Sequence, residues 1–251
     1  MHLRRDVYSR YYRLDESHGF SVDVDRLAGQ LNENIDLLII CNPNNPTSTA
    51  ISRNDMRRIL DTCKEYGIYV LVDETYVEFA DNLEEITAIP LTRCYNNIII
   101  LRGISKFFAA PGLRLGYAVC GNRDLIKDVV SRQDPWSINT LASIAGEIMF
   151  TDEDYIHQTR SLISSERKRI CEKLDEFKGL TYYPPKANFI LLKILKEDVT
   201  ARDVFEAAIQ KKLMIRDCSD FPFLDSRYFR FCIMMPEKND ELLEVIKSLL
   251  G

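Results

Sequence analysis

The stretch NNIIILRGISKFFAAPGLRLGYAVC, residues 96–120, decides how this chain folds. It begins with an apolar run typical of a buried strand, passes Gly103 and a polar turn that carries Lys106, and ends in a second strand-like run. A lysine amine at the end of a buried strand, partly surrounded by apolar side chains, is suited to attack a carbonyl and hold it as an imine. Taken alone, Lys106 fits a surface lysine in a loop better, but the motifs around it favour the chemical role.

The composition is that of an ordinary globular protein. The chain has 251 residues, of which 46% are hydrophobic and 28% charged, so it can bury a sizeable core. Its net charge of -5 is spread over interspersed acids and bases, without a basic stripe or zinc-finger spacing, which argues against a nucleic-acid partner. The longest apolar runs have strand length, which predicts no membrane span.

The cysteines and histidines indicate the compartment and limit the chemistry. Seven cysteines occur singly and without a C-x-x-C pair, which predicts free thiols in a reducing cytoplasm. The N-terminus lacks the apolar region of a signal peptide. The three histidines lie in unremarkable surroundings, so we expect no histidine metal site and no metal cofactor.

Apolar runs and chain breakers alternate in the first half of the chain. Residues 35–41 form a continuous apolar run that ends at the turn NPNNPTS, residues 42–48. Ser52 begins an amphipathic helix that Gly67 ends, and residues 68–73 form the next buried strand. Strand, helix and strand at this spacing predict an α/β fold with a mainly parallel sheet.

Three polar side chains follow three predicted strands. Asn45 comes after the first strand, Asp73 ends the second, and Lys106 comes after the third. In parallel sheets ligands bind at the carboxyl ends of the strands, so we expect these side chains to share one site.

The second half has a different character. A long charged helix over residues 154–177 predicts the start of a smaller C-terminal α+β domain, so the predicted domains are 1–151 and 152–251. Helices are predicted over 200–212 and 237–250 and strands over 180–183, 188–194, 214–217 and 228–234. For the start of the chain we expect a helix remnant, a short strand over 11–14 and a helix over 23–31.

A reactive lysine beside a strand-end carboxylate is the pattern that pyridoxal phosphate (PLP) requires, because the carboxylate keeps the pyridine nitrogen protonated. The chain carries NPNNPT, VDETY, SKFFAAPGLRLGY and YFRF in this order. With these motifs it resembles the PLP-dependent class I/II aminotransferases of fold type I over nearly its whole length. The resemblance implies a large PLP-binding domain, a smaller C-terminal domain, and a homodimer.

The resemblance also implies roles at the cofactor ring. Lys106 would form the imine with PLP and move protons, and Asp73 would pair with the pyridine nitrogen. Asn45 and Tyr76 would hydrogen-bond the phenolic oxygen of the ring. Taken singly, these residues also fit a turn residue, a helix cap and a core aromatic side chain.

The resemblance also implies which residues bind the anionic groups of the cofactor and the substrate. Ser105 and Arg114 would bind the cofactor phosphate, the arginine as a planar donor. Arg230 would hold the substrate carboxylate, with Asn45 beside it, and Arg216 is a candidate for a substrate phosphate.

Two branches of the family compete, the threonine-phosphate decarboxylases of cobalamin biosynthesis and the histidinol-phosphate or aromatic aminotransferases. Three stretches favour the decarboxylases: KFFAAPGLRLGY, residues 106–117, with its proline at 111; DPWSINTLA, residues 134–142; and LMIRDCSDFPFLDSRYFRF, residues 213–231. The substrate in that branch is L-threonine O-3-phosphate. Which α-carbon bond breaks depends on its angle to the cofactor ring, and the sequence does not determine that angle.

The chain departs from the family pattern at several positions, among them Gly103, where the family usually has a hydroxyl for the phosphate, and Met234, where the decarboxylases often have another arginine. The N-terminal segment that carries a phosphate-binding loop in the family is expected to be missing, which exposes apolar surface and leaves open a catalytically silent chain. Ser48 stands where the family has a glycine after N-P-T.

Overall fold

The structure, a computed structural model, describes residues 8–251. Its first sheet has four strands in the order β1-β2-β3-β4. These are β1 (Leu37–Cys41), β2 (Tyr69–Asp73), β3 (Ile98–Gly103) and β4 (Gly116–Cys120). The first three run parallel and β4 pairs with β3 antiparallel, which confirms the predicted α/β fold with a mainly parallel sheet.

The helix between β1 and β2 covers one face of this sheet. It is α2 (Arg53–Glu65), and the Ser52 side chain caps it by accepting a hydrogen bond from the Asp55 amide. Its apolar face forms one core with side chains of the strands, where each fully buried aliphatic side chain contributes about 1.5–3 kcal/mol. The members of this core on α2 are Met56, Ile59, Leu60 and Cys63.

Other apolar side chains of the first sheet are exposed. Leu37, Ile39 and Tyr69 are exposed on β1 and β2, whereas Ile40, at an alternate position of β1, is buried. Because successive side chains of a strand point to opposite faces, the sheet is covered on one face and open to solvent on the other.

Two helices after β4 were not predicted from the sequence. They are α4 (Arg123–Ser131) and α5 (Thr140–Met149), and they begin at the side-chain caps Asn122 and Asn139. Both asparagines are recognisable as capping residues, but neither helix has the buried apolar stripe that would have marked it. Apolar side chains on both helices are exposed, among them Val129, Val130, Leu141, Ile144 and Ile148.

The second sheet also has four strands, in the order β5-β6-β8-β7, and every pairing in it is antiparallel. Its strands are β5 (Leu180–Tyr182), β6 (Phe189–Ile194), β7 (Arg216–Asp217) and β8 (Tyr228–Cys232). The associated helices are α6 (Glu153–Leu174), α7 (Ala201–Gln210) and α8 (Pro236–Leu250), and together they bury the largest apolar cluster. The predicted domain division near residue 151 stays a prediction.

Some predicted elements were wrong or too long. The strand expected over 11–14 was wrong: this segment pairs with no described strand, and it is held instead by side-chain contacts, in which the Tyr12 hydroxyl donates to the Asp23 carbonyl and the Arg26 guanidinium lies over the Tyr12 ring. The first helix, α1, covers only Val24–Ala28, and α6 ends at Leu174 rather than 177.

Two further differences concern the start of the chain and the segment between β2 and β3. The helix remnant expected at the start of the chain falls mainly on residues 1–7, outside the described residues. A short helix, α3 (Leu83–Ile86), lies where we expected only a loop. Across residues 8–251, no helix combines the length and apolar character needed to cross a bilayer.

Candidate active site

Asp73 ends β2 at the edge of the sheet where the parallel strands finish. In the register it lies between Cys41 of β1 and Leu101 of β3. Its Oδ1 accepts hydrogen bonds from the Thr75 amide, at 2.9 Å, and from the Thr75 hydroxyl. The carboxylate is therefore oriented by its own turn, and its Oδ2 accepts no hydrogen bond from the described residues. Burial and the charge of Asp73 raise the pKa of the Cys41 thiol to about 11.

Lys106 lies in the turn that follows β3, at the same sheet edge as Asp73. Ile104 and Phe107, on either side of the Ser105–Lys106 pair, are buried and anchor this turn. The Phe107 carbonyl accepts a hydrogen bond from the Tyr155 hydroxyl at 2.8 Å. The Lys106 side chain itself is exposed, and no ion pair within residues 8–251 involves it. Its amine is thus held near the strand ends and is available to a ligand.

Asn45 lies in the turn between β1 and α2, which the fully buried side chain of Asn42 holds in place. Asn42 accepts from the Ile51 amide at 2.8 Å and donates to the carbonyls of Ile51 and Ile86 at 3.2 and 3.3 Å. The Oδ1 atom of Asn45 is buried and has no hydrogen-bond partner within the described residues. A buried unpaired acceptor is costly, so this atom indicates that a ligand donates to it.

Tyr76 and Arg230 both contact the ring of Phe189, the first residue of β6. The Tyr76 ring meets it edge-on at 5.0 Å between centroids, and the Arg230 guanidinium lies 4.6 Å from its centroid. Burial raises the pKa of Tyr76, while the positive charge of Arg230 opposes that rise and the negative charge of Asp73 adds to it. The structure therefore brings Asp73, Tyr76 and Arg230 together.

Arg230 has an incomplete set of hydrogen bonds. Its Nε is buried without a partner within the described residues, which points to an acceptor supplied by a ligand. Arg216 is its cross-strand partner in the register of β7 and β8. The Arg216 guanidinium pairs with Asp220 at 2.5 Å and lies over the Phe221 ring. Arg216 is thus near the site but is already engaged on the surface.

The two residues expected to bind a cofactor phosphate lie on either side of the Lys106 turn. Ser105 is half-buried directly beside the lysine. Arg114 is exposed, has a left-handed backbone with φ of 55°, and donates to the Pro111 carbonyl at 3.0 Å. Both roles stay predictions.

Glu74, which follows Asp73, has a structural role. Its side chain is 0% exposed and pairs with Arg102 at 2.7 Å, while the Thr87 hydroxyl and the Ala88 amide also donate to it. Burial opposes the charged form of Arg102, but the charge and hydrogen bonding of Glu74, together with the charge of Glu78, outweigh this effect and raise the pKa of Arg102. This ion pair stabilises the turn that presents Asp73.

Sequence reasoning missed two residues of the site. Thr75 lies inside the motif VDETY but was not distinguished as the partner of Asp73. Phe189 lies in an uninterrupted apolar strand, and nothing in that pattern separates an aromatic platform from an ordinary core residue.

The donor and acceptor set fits PLP. Within residues 8–251, Asp73 has a carboxylate oxygen, Oδ2, that no side chain or amide donates to, and Lys106 has an amine without an ion pair. Asn45 carries an amide whose NH2 group can donate to the phenolic oxygen of the ring. Ser105 directly precedes the lysine and Arg114 follows it eight residues later along the chain, and their hydroxyl and guanidinium groups are donors of the kind that bind phosphate.

The comparisons with known proteins agree with this geometry. A family model for aminotransferase class I and II matches residues 4–246, and the chain belongs to this family. PLP is the cofactor that the family implies, which confirms the cofactor expected from the motifs.

Individual relatives come from both expected branches. The chain is 34% identical over 241 residues to the threonine-phosphate decarboxylase of Salmonella typhimurium, covering 96% of this chain and 65% of that protein. It is 37% identical over 232 residues to the histidinol-phosphate aminotransferase of Dehalococcoides mccartyi, covering 92% and 61%. The crystal structure of the histidinol-phosphate aminotransferase from Clostridium acetobutylicum matches with a TM-score of 0.87 at 29% identity, covering 94% of this chain and 69% of that one. The chain thus spans 61–65% of the length of these two curated relatives.

Proposed function

We propose that this chain belongs to a PLP-dependent enzyme acting at the α-carbon of a phosphorylated amino acid, and that it decarboxylates L-threonine O-3-phosphate. The observation that carries the proposal is the cross-strand pair of Arg216 and Arg230, of which Arg230 lies near Tyr76. Like charges directly opposite each other destabilise a sheet, and at Arg216 the carboxylate of Asp220 already offsets part of that repulsion. In this proposal the substrate phosphate takes the place of Asp220 at Arg216, and the substrate carboxylate binds Arg230. L-threonine O-3-phosphate carries both a carboxylate and a phosphate.

The side chains have distinct tasks in this proposal. Asn45 and Tyr76 orient the cofactor through its phenolic oxygen, and Asp73 accepts from its pyridine nitrogen through Oδ2. When bound, PLP supplies an electron sink for the bond that breaks at the α-carbon. Arg230 holds the substrate carboxylate, and the Lys106 amine delivers a proton to the α-carbon after CO2 leaves.

The second candidate is transamination of histidinol phosphate. The similarity to the histidinol-phosphate aminotransferases of Dehalococcoides mccartyi and Clostridium acetobutylicum favours it. Histidinol phosphate has a phosphate but no carboxylate, so it uses only one of the two arginines. An aminotransferase would, however, also bind a keto acid with two carboxylates, which needs both. A catalytically silent chain is the third candidate.

Adding PLP to the purified chain tests the proposal. We expect a shifted visible absorption band that borohydride fixes, and mass spectrometry should locate the reduced adduct on the peptide containing Lys106. Lys106→Ala should abolish the band, and Lys64→Ala, an exposed lysine of α2, should leave it unchanged. A wild-type chain with no adduct, or an adduct that persists in Lys106→Ala, supports the silent chain.

Substrate assays then separate the two reactions. Release of CO2 and aminopropanol phosphate from L-threonine O-3-phosphate supports the decarboxylase. A keto product formed from histidinol phosphate in the presence of 2-oxoglutarate supports the aminotransferase.

The proposal includes a cytoplasmic homodimer. The seven free cysteines support a reducing compartment. Exposed apolar side chains on α5 (Leu141, Ile144, Ile148) support an interface between subunits, which analytical ultracentrifugation tests.

A further inference from the structure

Ser48 has an unusual backbone for a serine. It is fully buried and adopts a left-handed conformation with φ of 62°. This region disfavours side chains other than glycine, because the Cβ crowds the backbone. Glycine would therefore avoid the strain, and the serine side chain must contribute something that offsets it.

The contribution of Ser48 is a link between the Asn45 turn and the second sheet. Its hydroxyl oxygen accepts from the backbone amides of Lys186 and Ala187 at 3.1 and 2.9 Å. Its carbonyl oxygen also accepts from the Lys186 amide, at 2.8 Å. Its own amide donates to the Asn44 carbonyl at 2.8 Å, so the link continues into the turn that carries Asn45.

Residues 186–187, at the far end of this link, lie close in sequence to Phe189, whose ring contacts the Arg230 guanidinium. Residues 186–187 precede β6, whose first residue is Phe189, and the Ala187 carbonyl accepts from the Arg167 Nε at 3.2 Å. Both the amides and the carbonyl of this short segment are thus engaged. The Phe189 ring then supports the guanidinium of Arg230.

We propose that Ser48 is a positioning residue, which sets the Phe189–Arg230 pair at a defined distance from the Asn45 turn and so determines how tightly the substrate carboxylate is held. This inference rests on the proposed PLP-dependent function. A hydroxyl that accepts from two successive amides holds two segments in one geometry. Its removal leaves the buried Ala187 amide unpaired, whereas the Lys186 amide keeps its hydrogen bond to the Ser48 carbonyl. The Arg230 guanidinium would then occupy several positions, which weakens substrate binding more than cofactor binding.

The test compares Ser48→Ala and Ser48→Gly with the wild-type chain. The first keeps the Cβ and loses the hydroxyl, and the second also relieves the backbone strain. Ser52→Ala is the matched control, because Ser52 caps α2 nearby but does not contact residues 186–187. Hydrogen exchange of the Lys186 and Ala187 amides, measured on the cofactor-free chain, reports on the link itself. Spectral titration of the PLP-loaded chain with L-threonine O-3-phosphate reports on substrate affinity.

We expect both Ser48 variants to exchange the Ala187 amide faster, with the Lys186 amide changing less, and to raise the substrate dissociation constant about tenfold, as the loss of one buried hydrogen bond predicts. The PLP dissociation constant should change less, and Ser52→Ala should change neither quantity. If Ser48→Ala does not fold, the same measurements on Ser48→Gly test the proposal.

The outcomes are distinguishable. Unchanged substrate affinity in Ser48→Gly, while the wild-type chain forms the Lys106 adduct, overturns the role of Ser48 and leaves the proposed function intact. A wild-type chain that forms no adduct overturns both.

Discussion

The guanidinium of Arg230 lies 4.6 Å from the centroid of the Phe189 ring, and the edge of Tyr76 meets the same ring. The negative face of an aromatic ring attracts a cation most strongly where water is excluded, and Phe189 is fully buried. One aromatic side chain thus supports two residues predicted to bind the cofactor and the substrate.

Phe189→Leu should weaken substrate binding through this contact. Loss of the cation–π interaction predicts a dissociation constant for L-threonine O-3-phosphate raised about threefold to thirtyfold. Phe231→Leu is a suitable control, since Phe231 is also buried in the same sheet and apolar cluster. Spectral titration of the PLP-loaded chain measures both variants, and an equal loss in the two would mean that general packing, not the Phe189 ring, is responsible.

Arg102→Met should strongly destabilise the chain. It leaves the carboxylate of Glu74, which is 0% exposed, without its charged partner. Breaking a buried ion pair from one side costs about 3–5 kcal/mol in the free energy of unfolding. Urea denaturation measures this difference.

The control for this prediction is Arg202→Met, which breaks the exposed pair between Arg202 and Glu206 on α7. An exposed i,i+4 pair contributes only about 0.3–0.5 kcal/mol. If the two variants lost similar stability, the Glu74–Arg102 pair would not be the buried anchor that the structure indicates.

Acid should remove the contribution of Glu166 to stability. The hydrogen bonds from Arg169, and then from Asn239, lower the pKa of this buried carboxyl below its usual value of 4.5 against the effect of burial. A lowered pKa in the folded state stabilises the protein above pH 4.5, and the contribution is lost as the pH falls through the lowered value.

Glu166→Gln tests that dependence. At pH 7 the variant should be less stable than the wild type by about 1–3 kcal/mol in the free energy of unfolding. This difference should shrink as the pH falls below 4.5 and through the lowered pKa of Glu166. Urea midpoints at several pH values provide the measurement, with the exposed Glu244→Gln on α8 as control. A difference that stayed constant with pH would rule out the charged contact with Arg169.

The exposed thiols should be alkylated faster than the buried ones. Burial raises the pKa of Cys63 and Cys171 to about 11 and that of Cys218 to about 12, so these thiols are protonated and shielded at pH 8. The exposed thiols are Cys94 and Cys232. Brief iodoacetamide treatment followed by peptide mass spectrometry should label those two first. Early labelling of Cys63 or Cys218 would contradict the packing of their cores.

Much of the fold was predictable because its strands carry strong local signals. The runs that became β1, β2 and β3 are uninterrupted and apolar, and clear turn residues follow them. The parallel pairing brought Asn45, Asp73 and Lys106 to one edge of the sheet, as expected. The helices α4 and α5 lacked such a signal, because most of their apolar side chains are not buried in the described structure.

The sequence by itself determined the family, the cofactor and the order of the polar residues at the strand ends. These depend on motifs whose residues are close together along the chain. Only the tertiary structure decided that Phe189 supports both Tyr76 and Arg230, that Arg216 faces Arg230 across two strands, and that Ser48 joins its turn to the segment before β6. Each of these contacts joins segments far apart in sequence, and their geometry depends on strand register and core packing, which local patterns do not encode.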